Sequence, residues 1–277
     1  MAKKFLLFIF LIFVFSSCGD EGLKKFISTD IDKMLGEQAS AQYKDGLSNK
    51  ILSETKHQDV YRIINSIKNK ILNSGKIKNK DNFVWELKII DDDSTLNAFC
   101  LPGGYIFVYT GLIKYLDNEA QLAGVVGHEI AHADNRHAID NITSQLGLSV
   151  LLSIVFWSDN NQLISIAQNL AGLKFSRNNE EEADKLSINY LYNTDFDARE
   201  ANGFFKKLES EKNAEELLEF LSTHPSPEKR YDKMLDEWKS LGGKAGKKYE
   251  EEYILLKNYL KWNSIIVLII DKNKKQL

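Results

Sequence analysis

The chain has 277 residues, 43% of them apolar and 27% charged, with a formal net charge of −3. That length can bury one sizeable core with extensions at either end. A mildly acidic chain without a basic stripe argues against nucleic acid as a partner, and the short basic runs KIKNK (76–80) and KNKK (272–275) read as solvated faces.

Residues 1–17 combine Lys3 and Lys4, an apolar run from Phe5 to Phe15 and the small pair Ser16-Ser17. These are the marks of a secretory signal peptide, and the run is too short for a comfortable transmembrane helix. Phe15-Ser16-Ser17-Cys18 resembles the lipobox of bacterial lipoproteins, with an aromatic residue in place of the usual leucine. The expectation is an exported protein, lipidated at Cys18 and anchored to a membrane. Gly19, where inner-membrane lipoproteins carry aspartate, points to the periplasmic face of the outer membrane. The chain's other cysteine, Cys100, then has no partner. Lying between Phe99 and Leu101, it reads as a small buried hydrophobe.

Residues 18–56 form a polar tether running into a first helix. Val60, Ile63, Ile64, Ile67 and Ile71 recur at helical spacing over 58–72. Phe83, Trp85, Leu87 and Ile89 alternate, predicting a half-buried strand that Asp91-Asp92-Asp93 ends. Two further apolar runs joined by Pro102-Gly103-Gly104 predict a hairpin with positive φ at the glycine.

The stretch that organises the chain comes next, at 118–137, NEAQLAGVVGHEIAHADNRH. Asn118 is a good N-cap, and Gln121 three residues on can return the hydrogen bond. Leu122, Val125, Val126, Ile130 and Ala133 give the helix one apolar face. His128 and His132, four apart, share a face and can hold one zinc ion, while Glu129 can serve the water on it as a base. His137 reads as a helix-end histidine favoured by the dipole, and His57 is given no role.

Beyond it, the length of the apolar stretch 142–157 favours a core helix over a membrane span. An amphipathic segment occupies 160–173. A helix begins near Ser176, breaks at Asn193-Thr194-Asp195 and is succeeded by another. THPSPEKRYDKM (223–234) is a loop entering a final helix, and residues 241–277 are a charged tail with one apolar run, SIIVLII (264–270), read as a closing strand. A catalytic zinc site needs a third protein ligand and an open position. Glu180 and Asp184 are four apart, so Glu180 can bind the metal while Asp184 accepts a ring N–H from a ligating histidine. Taken alone, Glu180-Glu181-Glu182 reads equally as a solvated helix start.

HEIAH (128–132), an SRxxExEAD-like segment some 45 residues on (Ser176–Asp184) and THPSPEKR (223–230) stand in one order. Together they resemble the CAAX prenyl protease-type and HtpX-like zinc metallopeptidases. Within these the chain is most similar to the soluble periplasmic branch with the β-barrel assembly-enhancing and Oma-type proteases. NAFCLPGGYIFVYTGL (97–112) matches the strand that precedes the catalytic helix there. The resemblance covers residues 57–240. Ser187, where a glycine is common, and Asn193-Thr194, where Ala-Gly is usual, depart from the pattern away from the metal.

What the resemblance implies is an α+β, mainly helical, zincin-like domain with a small antiparallel sheet beside the HExxH helix. His128, His132 and Glu180 would be ligands of one Zn2+, Glu129 the general base and Asp184 the carboxylate behind a ligand. His224 and Arg230 match the late His-Pro…Arg segment and are candidate oxyanion donors. In a second arrangement His224 closes on the zinc and holds a resting state. Substrate would add as a strand along Asn97, Ala98 and Phe99. The expected partners are unfolded or misassembled envelope proteins. A lipid-anchored chaperone or scaffold retaining the zinc is the alternative, and an integral-membrane prenyl-protein protease ranks behind it.

Overall fold

The computed structural model describes residues 27–147, 170–172, 174–210, 222–225 and 229–261. The signal peptide, Cys18, most of the apolar stretch 142–157, the segment 160–169 and the run 264–270 lie outside them. Among the described residues no helix is long and apolar enough to cross a membrane.

Two helices precede the sheet: α1 (Thr29–Gly46), capped by Ser28, and α2 (Gln58–Leu72). The strands are β1 (Leu87–Ile90), β2 (Ala98–Leu101) and β3 (Tyr105–Tyr109), in the order β1-β3-β2. The expected hairpin is present, with Gly103 at φ 75° and Gly104 at φ 88°. β1, however, pairs parallel with β3, so the sheet is mixed and not wholly antiparallel. Strand β1 is also shorter than the alternation from Phe83 suggested. Trp85 sits at φ 53° with its indole N–H donating to the Lys80 carbonyl, and that left-handed residue keeps the strand from starting earlier.

The sheet separates two apolar layers, as a period-two pattern dictates. Leu87, Ile89, Ala98, Cys100, Ile106 and Val108 join the main core with α2 and the central helix. Ile90, Phe99, Leu101 and Phe107 face the other way and pack with Leu35 and Ala39 of α1. Phe99 stacks on Phe107 at 4.9 Å.

After α3 (Thr110–Tyr115) comes the central helix α4 (Glu119–Asp134). Asn118 accepts from the Gln121 N–H at 2.9 Å, as expected of the cap. The Gln121 side chain accepts instead from the Asp117 N–H and donates to Glu200, so the box is not closed on Asn118. Every residue of α4 is buried, not one stripe. Two glycines permit this: a Cβ at Gly124 would lie 2.3 Å from Ala201 Cα, and one at Gly127 3.1 Å from Leu191 Cδ1. The far end of α4 is pinned by Asp134, which accepts from the Lys78 and Asn79 N–H groups and from Tyr190 Oη.

Helix α5 (His137–Leu146) begins after a left-handed residue, Arg136 at φ 59°. A short turn of 3-10 helix (Leu170–Gly172) leads to α6 (Arg177–Tyr192), whose start is a capping box between Ser176 and Asn179. The break at 193–195 is present; beyond it lie a 3-10 turn (Ala198–Asn202), α7 (Gly203–Ser210) and, after the 223–225 segment, α8 (Arg230–Ser240). The last described element is α9 (250–261), whose Tyr253, Leu256 and Leu260 belong to the main core. The segment 241–277 thus carries part of the hydrophobic centre as well as charge.

Candidate metal centre

Helix α4 supplies His128, Glu129 and His132, α6 supplies Glu180 and Asp184, and the segment before α8 supplies His224. His128, His132, Glu180 and His224 are all buried, and one ligand atom of each lies within 4.8 Å of the others. The Nε2 atoms of His128 and His132 are 3.0 Å apart. Each lies 3.4 Å from an oxygen of Glu180, and His224 Nδ1 is 3.4 Å from His128 Nε2. Donors held 2.0–2.1 Å from one tetrahedral ion stand about 3.3 Å apart, so this donor set fits zinc in chemistry and spacing.

The electrostatics agree. Burial alone would raise the Glu180 carboxyl, but the surrounding His224, His128 and His132 hold it well below the usual carboxylate range. Burial works against charge on His128 too, yet Asp184 and Glu180 lift its pKa to about 9. Two carboxylates in a dry pocket create a field that favours a cation. Neither oxygen of Glu129 accepts a hydrogen bond from the described protein, and burial raises its pKa. Its Oε1 is 3.6 Å from His224 Nε2.

Asp184 accepts from His128 Nδ1 at 2.9 Å, which leaves the Nε2 lone pair of that ring facing the centre. Arg230 is almost fully buried and places Nε and Nη2 each 2.5 Å from an Asp184 oxygen. Its guanidinium lies 3.7 Å from the centroid of Phe205. Arg230 therefore stands behind His128, anchoring the carboxylate that orients it, and its Nη2 also lies 3.4 Å from Glu180 Oε2. The solvated-start reading of 180–182 fails for Glu180, which is fully buried, while Glu181 is exposed and Glu182 half-exposed with Oε2 3.3 Å from His137 Nε2.

Asn97, Ala98 and Phe99 are all buried. Asn97 accepts from the Tyr109 N–H, and in this register Phe99 and Leu101 also face β3. The alternate residues Ala98 and Cys100 direct their backbone groups to the outer edge, which no strand covers among the described residues. The Ala98 N–H is engaged by the Asn97 side chain.

Two residues near the centre were not singled out from sequence as part of it. Phe175 stacks on the His132 ring at 4.0 Å, and nothing in its sequence surroundings distinguishes it from any core phenylalanine. His137 is fully buried and places its Nδ1 2.9 Å from His132 Nδ1. It opens α5 and does not sit at the C-terminal end of α4, where the dipole would favour it. The only sequence signal was its position five residues past a ligand.

Two histidines one turn apart, a carboxylate brought in by a second helix and an unengaged glutamate beside them amount to a metallopeptidase centre. The chain belongs to peptidase family M48, matching the family over residues 56–238. It is 36% identical over 147 residues to the mitochondrial metalloendopeptidase OMA1 of Arabidopsis thaliana, covering 53% of this chain and 30% of that one. Against OMA1 of Schizosaccharomyces pombe the identity is 32% over 216 residues, 76% of this chain and 62% of the relative. Against the beta-barrel assembly-enhancing protease of Escherichia coli it is 33% over 159 residues, covering 51% and 32%. The chain spans less than two thirds of the length of each of these relatives.

Proposed function

We propose that the chain is a zinc-dependent endopeptidase that hydrolyses peptide bonds of unfolded or misassembled cell-envelope proteins. The observation that carries the reading is Glu129, whose two buried oxygens are left without a protein donor beside the His128–His132–Glu180 cluster. His128, His132 and Glu180 would hold a zinc ion there, which would supply Lewis acidity to the attacking water and the scissile carbonyl. Glu129 takes the proton of the attacking water and delivers it to the leaving amine. Burial, which raises its pKa, suits it to both tasks. Asp184, held by Arg230, keeps His128 in the ligating tautomer. An extended substrate adds along the outer edge of β2, bonding to backbone groups of Ala98 and Cys100. Such bonding gives affinity with little sequence preference and suits unfolded chains. The names of the relatives, a mitochondrial metalloendopeptidase and a beta-barrel assembly-enhancing protease, support proteolysis. The lipobox-like Phe15–Cys18 supports a lipid anchor, and Gly19 after it supports the periplasmic face of the outer membrane.

One observation favours a second state of the same site. His224 Nδ1 stands among the ligand atoms, 3.1 Å from Glu180 Oε1. With that ring as a fourth donor, His128, His132, Glu180 and His224 would hold the ion between them and would leave the reacting water no place. His224 would then hold the enzyme at rest, and its departure would open the site.

Cleavage of casein by residues 19–277 with zinc, beside Glu129→Gln, tests the reading. The variant keeps metal and fold and loses rate on the order of 10²–10⁴. Activity that survives both the variant and a chelator sinks the proposal. If the wild type binds zinc yet matches the variant, His224→Ala separates a latched enzyme from an inert one. Restored cleavage establishes the resting latch, whereas continued silence leaves the lipid-anchored chaperone or scaffold.

A further inference from the structure

We infer that His137 and Glu182 position the ligand His132, doing for that imidazole what Asp184 does for His128. The inference rests on the reading of the cluster as a metal centre. His132 turns Nε2 to the cluster, so its lone pair there must be free and its proton must sit on Nδ1. The atom facing that proton, 2.9 Å away, is His137 Nδ1. A nitrogen that accepts from His132 carries no proton itself, so the neutral His137 ring holds its proton on Nε2. That atom lies 3.3 Å from Glu182 Oε2. Each proton along Glu182, His137 and His132 is thereby assigned: the carboxylate accepts from His137, and His137 accepts from His132. Asp184 contacts His128 directly, whereas Glu182 reaches His132 through an interposed imidazole. Both carboxylates come from α6, two residues apart.

Local backbone makes this possible. In an unbroken helix residue 137 would lie about 140° around the axis from residue 132 and could not face it. The left-handed Arg136 breaks α4 from α5 and brings His137 back over the ligand. Arg136 is fixed in turn by Asp32, at 2.7 Å, and by the carbonyls of Ile27 and Ser28. Phe175, stacked on the His132 ring, blocks the remaining tilt. His137 is fully buried, so its polar atoms meet protein and not bulk water.

Zinc dissociation constants, measured by competition with a chromophoric chelator, test the inference, with melting temperatures of the metal-free forms as a second readout. His137→Leu keeps bulk and removes the acceptor, and its affinity falls about 10- to 100-fold. His137→Asn places Oδ1 where Nδ1 stood and stays within about threefold of wild type. Glu182→Ala alters a half-exposed side chain and serves if His137→Leu does not fold; it loses about threefold or more. Wild-type affinity in His137→Leu, or in Glu182→Ala, overturns the assignment. So does an equal loss in the Leu and Asn variants that tracks the metal-free melting temperature, because packing alone would then explain it. A wild type that takes up no zinc would instead overturn the metal-centre reading beneath it.

Discussion

Around the centre, each ring is oriented by the group behind it: His128 by Asp184, Asp184 by Arg230, His132 by the stack on Phe175. His128, Glu129 and His132 were legible in the sequence because a four-residue spacing on one helix fixes a shared face. Glu180 and Asp184 show the same spacing, but only the order of the family's motifs separated a buried ligand from a solvated acidic turn. His137 was not legible, since its place depends on one left-handed residue that no periodicity announces. A further carboxyl tells of burial elsewhere. Glu119, at the start of α4, lines a cavity of about 640 Å³ with Lys70, Tyr249 and Glu252. Burial, with Glu252 and Asp195 adding to it against Lys70 and Arg62, raises its pKa from 4.5 to about 7. The folded chain therefore binds this proton more tightly than the unfolded one, and stability is lost as pH rises from about 4.5 through 7. Glu119→Gln should be neutral at pH 4 and gain about 1–2 kcal/mol at pH 8, after discounting for cavity solvent and the helix N-terminus. Urea unfolding at both pH values measures it, and an equal effect at the two rules out a raised pKa.

Among the elements, α2, the hairpin and α6 conform to their sequence patterns because each carries one clear period. The parallel partner of the hairpin was harder to foresee. Strand β1 reaches β3 only after Trp85 has turned the chain, and no strand pattern encodes that turn. Helix α9 was hidden differently. Tyr253, Leu256 and Leu260 have helical spacing, but Ile254 and Leu255 are apolar and exposed on the other side, so no clean stripe stands out. Tyr253 is fully buried and donates to the Ile113 carbonyl at 2.7 Å. Tyr253→Ala should cost about 3 kcal/mol or more, read from the midpoint of denaturant unfolding. A change under about 0.5 kcal/mol would mean that α9 is dispensable to the core, although it lies beyond the segment shared with the family.

For the whole molecule, sheet and helices form one frame in which α4 is enclosed on every side, and the sequence suggested only half of that enclosure. An apolar stripe was visible; the glycine contacts at Gly124 and Gly127 that admit α6 and the 198–202 turn were not. Attachment to a membrane belongs to this scale too. If Cys18 carries lipid, the expressed wild type should sediment with membranes and release only in detergent, and Cys18→Ser should appear in the soluble fraction. Wild type and variant both soluble would remove the anchor from the proposal.

The clamp of Arg136 on Asp32, Ile27 and Ser28 has a mechanical meaning. Nine residues lie between Cys18 and Ser28, ten steps with a contour of about 35 Å at full stretch. Were a lipid at Cys18 to pull on the chain, the first described residues to take the load would be Ile27 and Ser28, whose carbonyls Arg136 holds; its left-handed turn presents His137 to His132. A tethered molecule would then carry that load into the turn that shapes the metal centre, and would bear the geometry of its site on its mooring line.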